Sequence, residues 1–286
     1  MKYEREVHVH YQKAYALAKK ELLDKKKLRM PLFPVALKAL LDERNISCKQ
    51  DLGVLEIPLN LIVGTAEDTQ NRMLYTKEFL PVSVPASDYA ERWCSLWAGI
   101  HTAARYDEAI SCYEYLGKFY VRDGMKRVSV AKYAGASCIS AHVVRILPVR
   151  TEEHAVAVYY DFLFQYRLTK LYQLQFTQPG FFEELQLGLG LDPKHRWNGR
   201  DRTYFLACWS RVEHAFQKSF ENSLHITAAD ALVVLMKKYS FAQIASMESW
   251  VLARVFQTLW KELHALSMSV KSASAEASTE AVPQSA

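Results

Sequence analysis

Residues 4–27 place Val7, Tyr11, Ala14, Tyr15, Ala18 and Leu22 at steps of three and four. One apolar stripe at that spacing predicts an amphipathic helix. Its polar side ends in Lys25, Lys26 and Lys27, where the helix dipole favours cations. Pro31 and Pro34 then break the chain, and a short helix is expected through Leu41. From Asp51 the texture changes. Val54 to Val63 (VLEIPLNLIV) is aliphatic and contains a proline, which predicts an edge strand and a following turn. Gly64 to Arg72 (GTAEDTQNR) reads as a polar loop. Ser87 to Ala103 reads as a helix with Trp93, Leu96, Trp97 and Ile100 on one face and Ser87 or Asp88 as N-cap. Those tryptophans are expected in the core, not as a stacking platform.

Ile110 to Leu116 and Phe119 to Val121 are strand-like and joined by a tight turn at Gly117-Lys118. Asp123-Gly124 turns the chain into a helix from Lys126 to Ala134, which Gly135 ends. Ser140 to Leu147 is a further strand, closed by Pro148. The remainder reads as helical over Tyr159–Tyr172, Phe181–Leu187, Tyr204–Phe220, Ala228–Tyr239 and Ser249–Leu266. Beyond Ser267 the chain is Ser/Ala-rich and lacks aromatics, and a disordered tail is expected.

Half of the 286 residues are hydrophobic and 23% are charged, a mix that supports a packed core and excludes collagen-like or wholly disordered chains. The net charge of +5 sits at one end: residues 1–50 hold 12 basic and 6 acidic side chains, 12 − 6 = +6. Residues 51–150 hold 11 of each and residues 151–266 hold 12 of each, so the body is neutral. The basic stretch suits an anionic partner or a solvated helix face. Cys48, Cys94, Cys112, Cys138 and Cys208 are scattered without C-x-x-C spacing and read as reduced thiols. His8 and His10, two apart on a helix, point to different sides, and no metal site is expected. The start MKYEREVHVH lacks the apolar stretch of a signal peptide, and the longest clean apolar run, Ala231 to Met236, is far short of the ~20 residues of a membrane helix. A cytoplasmic protein without a membrane span is expected.

The chemistry concentrates in Asp123 to Ile146 (DGMKRVSVAKYAGASCISAHVVRI). A glycine opening a helix permits close approach of a ligand, and the first-turn amides with the positive dipole end favour anions. Lys126 and Arg127 add a mobile and a forked cationic donor, and the fork suits phosphate oxygens. The same residues equally describe a Gly turn capping a surface helix with both cations solvated.

GMKRVSVAKYAG resembles the G-E-R-R-x-R-A-A-x-x-A-G box of the ParB/sulfiredoxin-like superfamily, and Ile139-Ser140-Ala141-His142-Val143 resembles its following I-P-A-x-V strand. EIPLNLI followed by TQNR is similar to the family's first box, a strand running into a Q-P-R turn. The resemblance spans roughly residues 51–147, as in uncharacterised bacterial ParB-like proteins, some grouped with BMP-type ABC transporter binding proteins. Together with the charge distribution, helix periodicity and tail composition, it gives the expected α+β fold: a basic helical arm (1–50), a ParB-like domain (51–150), a mostly helical domain (151–266) and a disordered tail (267–286). It also implies nucleotide or phosphate binding, CTP or ATP with Mg2+, at Gly124, Lys126 and Arg127, with Gln70 and Arg72 from the first box. Met125 replaces the box's Glu, Ser129 its third Arg and Asn71 the turn's proline. The third ParB box, E-N-x-Q-R, has no counterpart in EEHAVAVYYDF, which offers only Glu152, Glu153 and Asp161, so hydrolysis is not expected.

Sulfiredoxins place a catalytic cysteine where Met125 stands, and Cys138 lies past the helix, so that chemistry is excluded. A kinase relative would need an acidic base, for which Glu67, Asp68 and Asp123 are candidates. A DNA-binding relative would use a helix-turn-helix rhythm at 225–262, but only Arg254, Gln257 and Lys261 suit an exposed reading face, and the Trp and Phe residues there suggest packing. The leading expectation is a nucleotide-binding switch without turnover. The alternatives are a DNA-binding relative, a small-molecule kinase and a ligand-free scaffold, with a second copy of the chain as a further partner.

Overall fold

The structure, a computed structural model, describes residues 2–101, 108–220 and 223–280. The chain divides into two compact units, Met1–Val149 and Arg150–Ala286. It is an α+β protein: unit 1 contains a six-stranded mixed sheet, and unit 2 is helical in its described residues.

The sheet of unit 1 comprises β1 (Val35–Ala36), β2 (Ile46–Pro58), β3 (Ile62–Thr65), β4 (Ile110–Tyr115), β5 (Lys118–Asp123) and β6 (Cys138–Pro148), in the order β1-β3-β5-β4-β6-β2. β1, β3 and β5 run parallel, and so do β4 and β6, while the hairpin β4–β5 and the pair β2–β6 are antiparallel. The hairpin and the strand–Gly turn–helix–strand order follow the sequence pattern. β2 is the expected edge strand but begins at Ile46, because residues 46–53 join the β6 ladder while leaving most of their polar side chains in solvent. An edge strand of that kind has no hydrophobic alternation to announce it.

Residues 1–50, expected as a basic arm, are built into unit 1. Val7, Tyr11, Ala14 and Ala18 of α1 (Lys2–Lys27) are buried, and with α2 (Asp88–His101) and α3 (Met125–Tyr133) they enclose Ala90, Trp93, Trp97 and Val130. Trp93 and Trp97 stack with 5.8 Å between ring centroids. The buried Trp93 Nε1 donates to Ser129 Oγ at 3.0 Å, which fixes α3 against α2. Lys25 is not a free cation: Glu21 and Glu78 hold its ammonium at 2.6 and 3.1 Å, and Thr76 Oγ1 donates to the other Glu21 oxygen. Lys26 and Lys27 are exposed.

The short helix expected after Pro34 is instead β1 followed by a single 3-10 turn at Leu37–Ala39. Leu37 is drawn into a small cluster with Tyr120 and Ile146, and strand pairing captures the backbone ahead of it. The expected end of the second helix at Ala103 lies outside the described residues. One charge pair lies inside the sheet. Glu114 and Arg145 are direct neighbours across β4 and β6, with Arg145 Nε 2.5 Å from Glu114 Oε2.

Unit 2 comprises α4 (His154–Thr169), α5 (Phe181–Gly188), α6 (Gly199–Phe220), α7 (Ala228–Met236), α8 (Phe241–Ser246), α9 (Ser249–Thr258) and α10 (Trp260–Glu280). The helix expected over 249–266 is two helices that meet at Leu259, with Leu252, Phe256, Leu259 and Leu263 all directed into the core. Segment 267–280, expected within the disordered tail, belongs to α10. Ser267 Oγ accepts from His225 N at 2.8 Å, and Val270 is buried in the same core. Residues 281–286 lie outside the described residues. The apolar α7 is buried almost throughout and is capped by Thr227 and Asp230. The Asp230 carboxylate also receives the Thr177 amide and hydroxyl, each at 2.9 Å. Burial raises the Asp230 pKa, against the pull of those hydrogen bonds.

The Trp93–Ser129 bond gives a direct test of the unit 1 helical packing. Ser129→Ala leaves a buried indole N–H without its acceptor and should cost about 1–3 kcal/mol in urea unfolding followed by tryptophan fluorescence.

Candidate functional site

Parallel pairing places the carboxyl ends of β1, β3 and β5 at the same edge of the sheet. Ala36 pairs with Thr65 and Thr65 with Val121. Just beyond them, Lys38 N donates to Ala66 O at 3.2 Å and Ala66 N to Val121 O at 2.8 Å. The close approach of β1 to β3 requires Gly64, since a Cβ there would stand 2.1 Å from Val35 O. Three connections leave this edge: the Leu37–Ala39 turn, the loop leading to a 3-10 turn at Gln70–Leu74, and Gly124 with α3. The two sequence boxes, about fifty residues apart in the chain, are thus joined through adjacent strands. Open sheets bind ligands outside such carboxyl ends.

Gly124 is the N-cap of α3 with φ +97°, and a Cβ would lie 2.6 Å from Ile110 Cγ2. Both the dihedral and the space demand glycine. No side chain caps this end. The first bond into the turn is Val128 N to Gly124 O at 3.1 Å, leaving the preceding first-turn amides at the positive end of the helix dipole. A Schellman arrangement ends the helix: Gly135 N bonds Lys132 O and Ala136 N bonds Ala131 O.

The expected site residues differ in what they already hold. Arg127 is partly buried; Nη1 donates to the Glu108 carbonyl and Nη2 lies 3.2 Å from Asp123 Oδ2. It braces the entry to β4 against the Gly124 turn. Arg72 Nε is 2.5 Å from Asp68 Oδ1, and Nη1 donates to Pro34 O at 3.2 Å, tying the loop after β3 to the segment before β1. Lys126 Nζ lies 5.0 Å from the centre of the Tyr89 ring, a cation–π contact. Gln70 is exposed on its 3-10 turn. Tyr89, on α2, was not among the residues expected here; its place beside Lys126 comes from the packing of α2 on α3.

Each carboxylate considered as a base is in an ion pair: Glu67 with Lys38 at 3.6 Å, Asp68 with Arg72, and Asp123 with Arg127. The cations and acids of this edge are therefore matched locally. Glu153 and Asp161 lie in unit 2, where Glu153 is the N-cap of α4 and Asp161 accepts from Gly180 N at 2.8 Å. Met125 stands in the turn, and Cys138 is exposed at the start of β6.

Elsewhere in unit 1, Lys132 is half-buried. It donates to Ile62 O at 2.9 Å and lies 5.0 Å from the Phe79 ring centre, and burial lowers its pKa. Cys94 Sγ lies 3.7 Å from His8 Nδ1, but burial pushes the thiol up to about 11, so it is not a ready nucleophile. Among the described residues no group of three or more His, Cys, Asp or Glu side chains could hold a metal ion. No helix among them is long and apolar enough to cross a membrane.

Compared with known proteins, the sequence matches no protein-family model, and no curated protein matches it.

The Gly124 turn makes a sharp expectation. Gly124→Ala combines a left-handed dihedral with a contact on Ile110 and should destabilise unit 1 by about 1–3 kcal/mol in chemical denaturation.

Proposed function

We propose that unit 1 is a ParB/sulfiredoxin-like module that binds a nucleotide or another phosphate-bearing ligand at the Gly124 turn. Binding serves as a regulatory signal and not as a step of turnover. The observation that carries this reading is the uncapped start of α3. A left-handed glycine stands at the carboxyl end of a parallel strand, and the Lys126 ammonium follows it within the first helical turn.

The two arginines then have a defined part. Arg127 is paired with Asp123, whose side chain is 80% exposed. Asp123 is the solvated half of that pair, so a doubly charged phosphate can displace its carboxylate from Nη2 while Nη1 keeps the Glu108 carbonyl. Lys126 is the direct contact and Arg127 is recruited. Arg72 keeps the loop after β3 in place, with Gln70 at its rim. Glu67 and Asp68 stay in ion pairs with Lys38 and Arg72, which favours binding over phosphotransfer.

Calorimetric titration of the full chain with CTP, ATP, GTP and inorganic phosphate, each with and without Mg2+, tests the reading. At least one nucleotide should bind. Lys126→Ala should weaken it about tenfold or more, while Asp123→Asn, which removes the competing carboxylate, should strengthen it. Absence of heat with every ligand, or tighter binding by Lys126→Ala, would sink the proposal.

A further inference from the structure

The Trp and Phe residues of segment 225–262 were expected to pack, and two of them, Trp250 and Trp260, are exposed. Trp250, in the first turn of α9, is 64% exposed, the most exposed tryptophan among the described residues. The helix keeps Leu252 and Phe256 inside and turns Trp250, Arg254 and Gln257 outward, with Lys261 continuing the same run at the start of α10. Their spacings of four, three and four residues put them on one face.

Beside Trp250, α6 and α9 enclose a groove of about 480 Å³. Ala215 and Ala253 contribute only methyl groups to its wall, Lys218 and His214 come from α6, and Gln257, Ser219 and Ser249 supply hydrogen-bonding groups. Glu248 is the sole carboxylate that lines it. The nearby Glu262 is held by Lys238 at 2.8 Å. Lys218 and Arg254 make no ion pair with a described residue. The volume is of the size that holds one flat ring with its substituents.

An indole this exposed raises the free energy of the free protein unless something covers it. A purely apolar partner would leave Lys218, Arg254 and Gln257 facing hydrocarbon without partners. A compact anion would leave the indole uncovered. The groove needs a ligand that alternates flat apolar rings with negative charges. We propose that the α6–α9 groove binds single-stranded nucleic acid: a base stacks on Trp250, its edge meets Gln257 and the serine hydroxyls, and the flanking phosphates lie along Lys218, Arg254 and Lys261. Stacking of this kind tolerates any base, because each has a π face, and the phosphate contacts make binding fall with salt. A duplex does not satisfy the groove, since its bases are already stacked on one another.

The site lies wholly in unit 2 and shares no residue with the Gly124 turn, so the two proposals stand or fall separately. Fluorescence anisotropy of the full chain with a labelled twelve-nucleotide oligo-dT is the measurement, with a twelve-base-pair duplex, free dTMP and poly-L-glutamate as competitors. The oligonucleotide should bind, and binding should weaken steeply between about 50 and 200 mM salt. Trp250→Ala should weaken it about ten- to hundredfold while Trp250→Phe retains most of it. Lys218→Ala should lower both affinity and salt dependence. Thermal melts should be unchanged, since both side chains are at the surface. No binding at low salt, indifference to Trp250→Ala, or competition by duplex, free nucleotide or poly-L-glutamate as strong as by the single strand would each overturn the proposal.

Discussion

The parallel register of β1, β3 and β5 is the constraint on which the rest of unit 1 rests. Parallel strands point their carboxyl ends the same way, so whatever follows each strand is delivered to one edge. The approach of β1 is possible because position 64 carries no side chain, and the turn after β5 is possible because position 124 carries none. From these two positions follow the location of the loop at Gln70 and Arg72, the direction of α3, and the placement of Lys126 over Tyr89. The packing of α3 then depends on Trp93, whose indole N–H has its partner in Ser129.

Charge is handled locally throughout unit 1. Inside the sheet, Glu114 and Arg145 neutralise one another, and Glu114 also accepts the Gly117 amide at 2.9 Å. Removing one partner of such a pair would strand a buried charge, which costs far more than the intact pair gains. At the carboxyl edge the cations Lys38, Arg72 and Arg127 each face a carboxylate. An anionic ligand there must compete with those acids instead of entering an empty positive field. For the phosphate ligand proposed above, affinity would depend on how much better it fits Arg127 than Asp123 does, a matter of geometry and not of net charge.

Unit 2 solves a different problem. Its core is aromatic-rich, with Phe205 stacked on Trp209 and Phe216, Phe220 and Phe256 in mutual contact, and the buried Asp230 ties the start of α7 to the Thr177 segment. With so many rings available to fill the interior, the exposure of Trp250 is set by its helix phase, two residues ahead of the buried Leu252. The same phase directs Arg254 and Gln257 outward. Trp250, Arg254 and Gln257 therefore share one exposed helix face.

Much of the secondary structure was legible in the sequence because it rests on local rules. The stripe of α1, the β4–β5 hairpin, the Gly-opened and Gly-closed α3 and most helices of unit 2 follow from periodicity and capping alone. What the sequence could not determine depended on partners distant in the chain. The first half of β2 has no apolar alternation and exists because β6 offers it a ladder. Leu37 and Val35–Ala36 gave up a helix for a place on the sheet. Ser267 and Val270 extend α10 into what composition alone reads as a tail. For the candidate site, the residue types Gly124, Lys126, Arg127, Gln70 and Arg72 were visible in sequence, and only tertiary structure decided their partners. Arg127 and Arg72 are held by Asp123 and Asp68, while Lys126 is left over an aromatic ring and Trp250 is turned to solvent. Side-chain type is a property of the chain, but whether a charge is matched or a ring is covered is fixed by its neighbours in space.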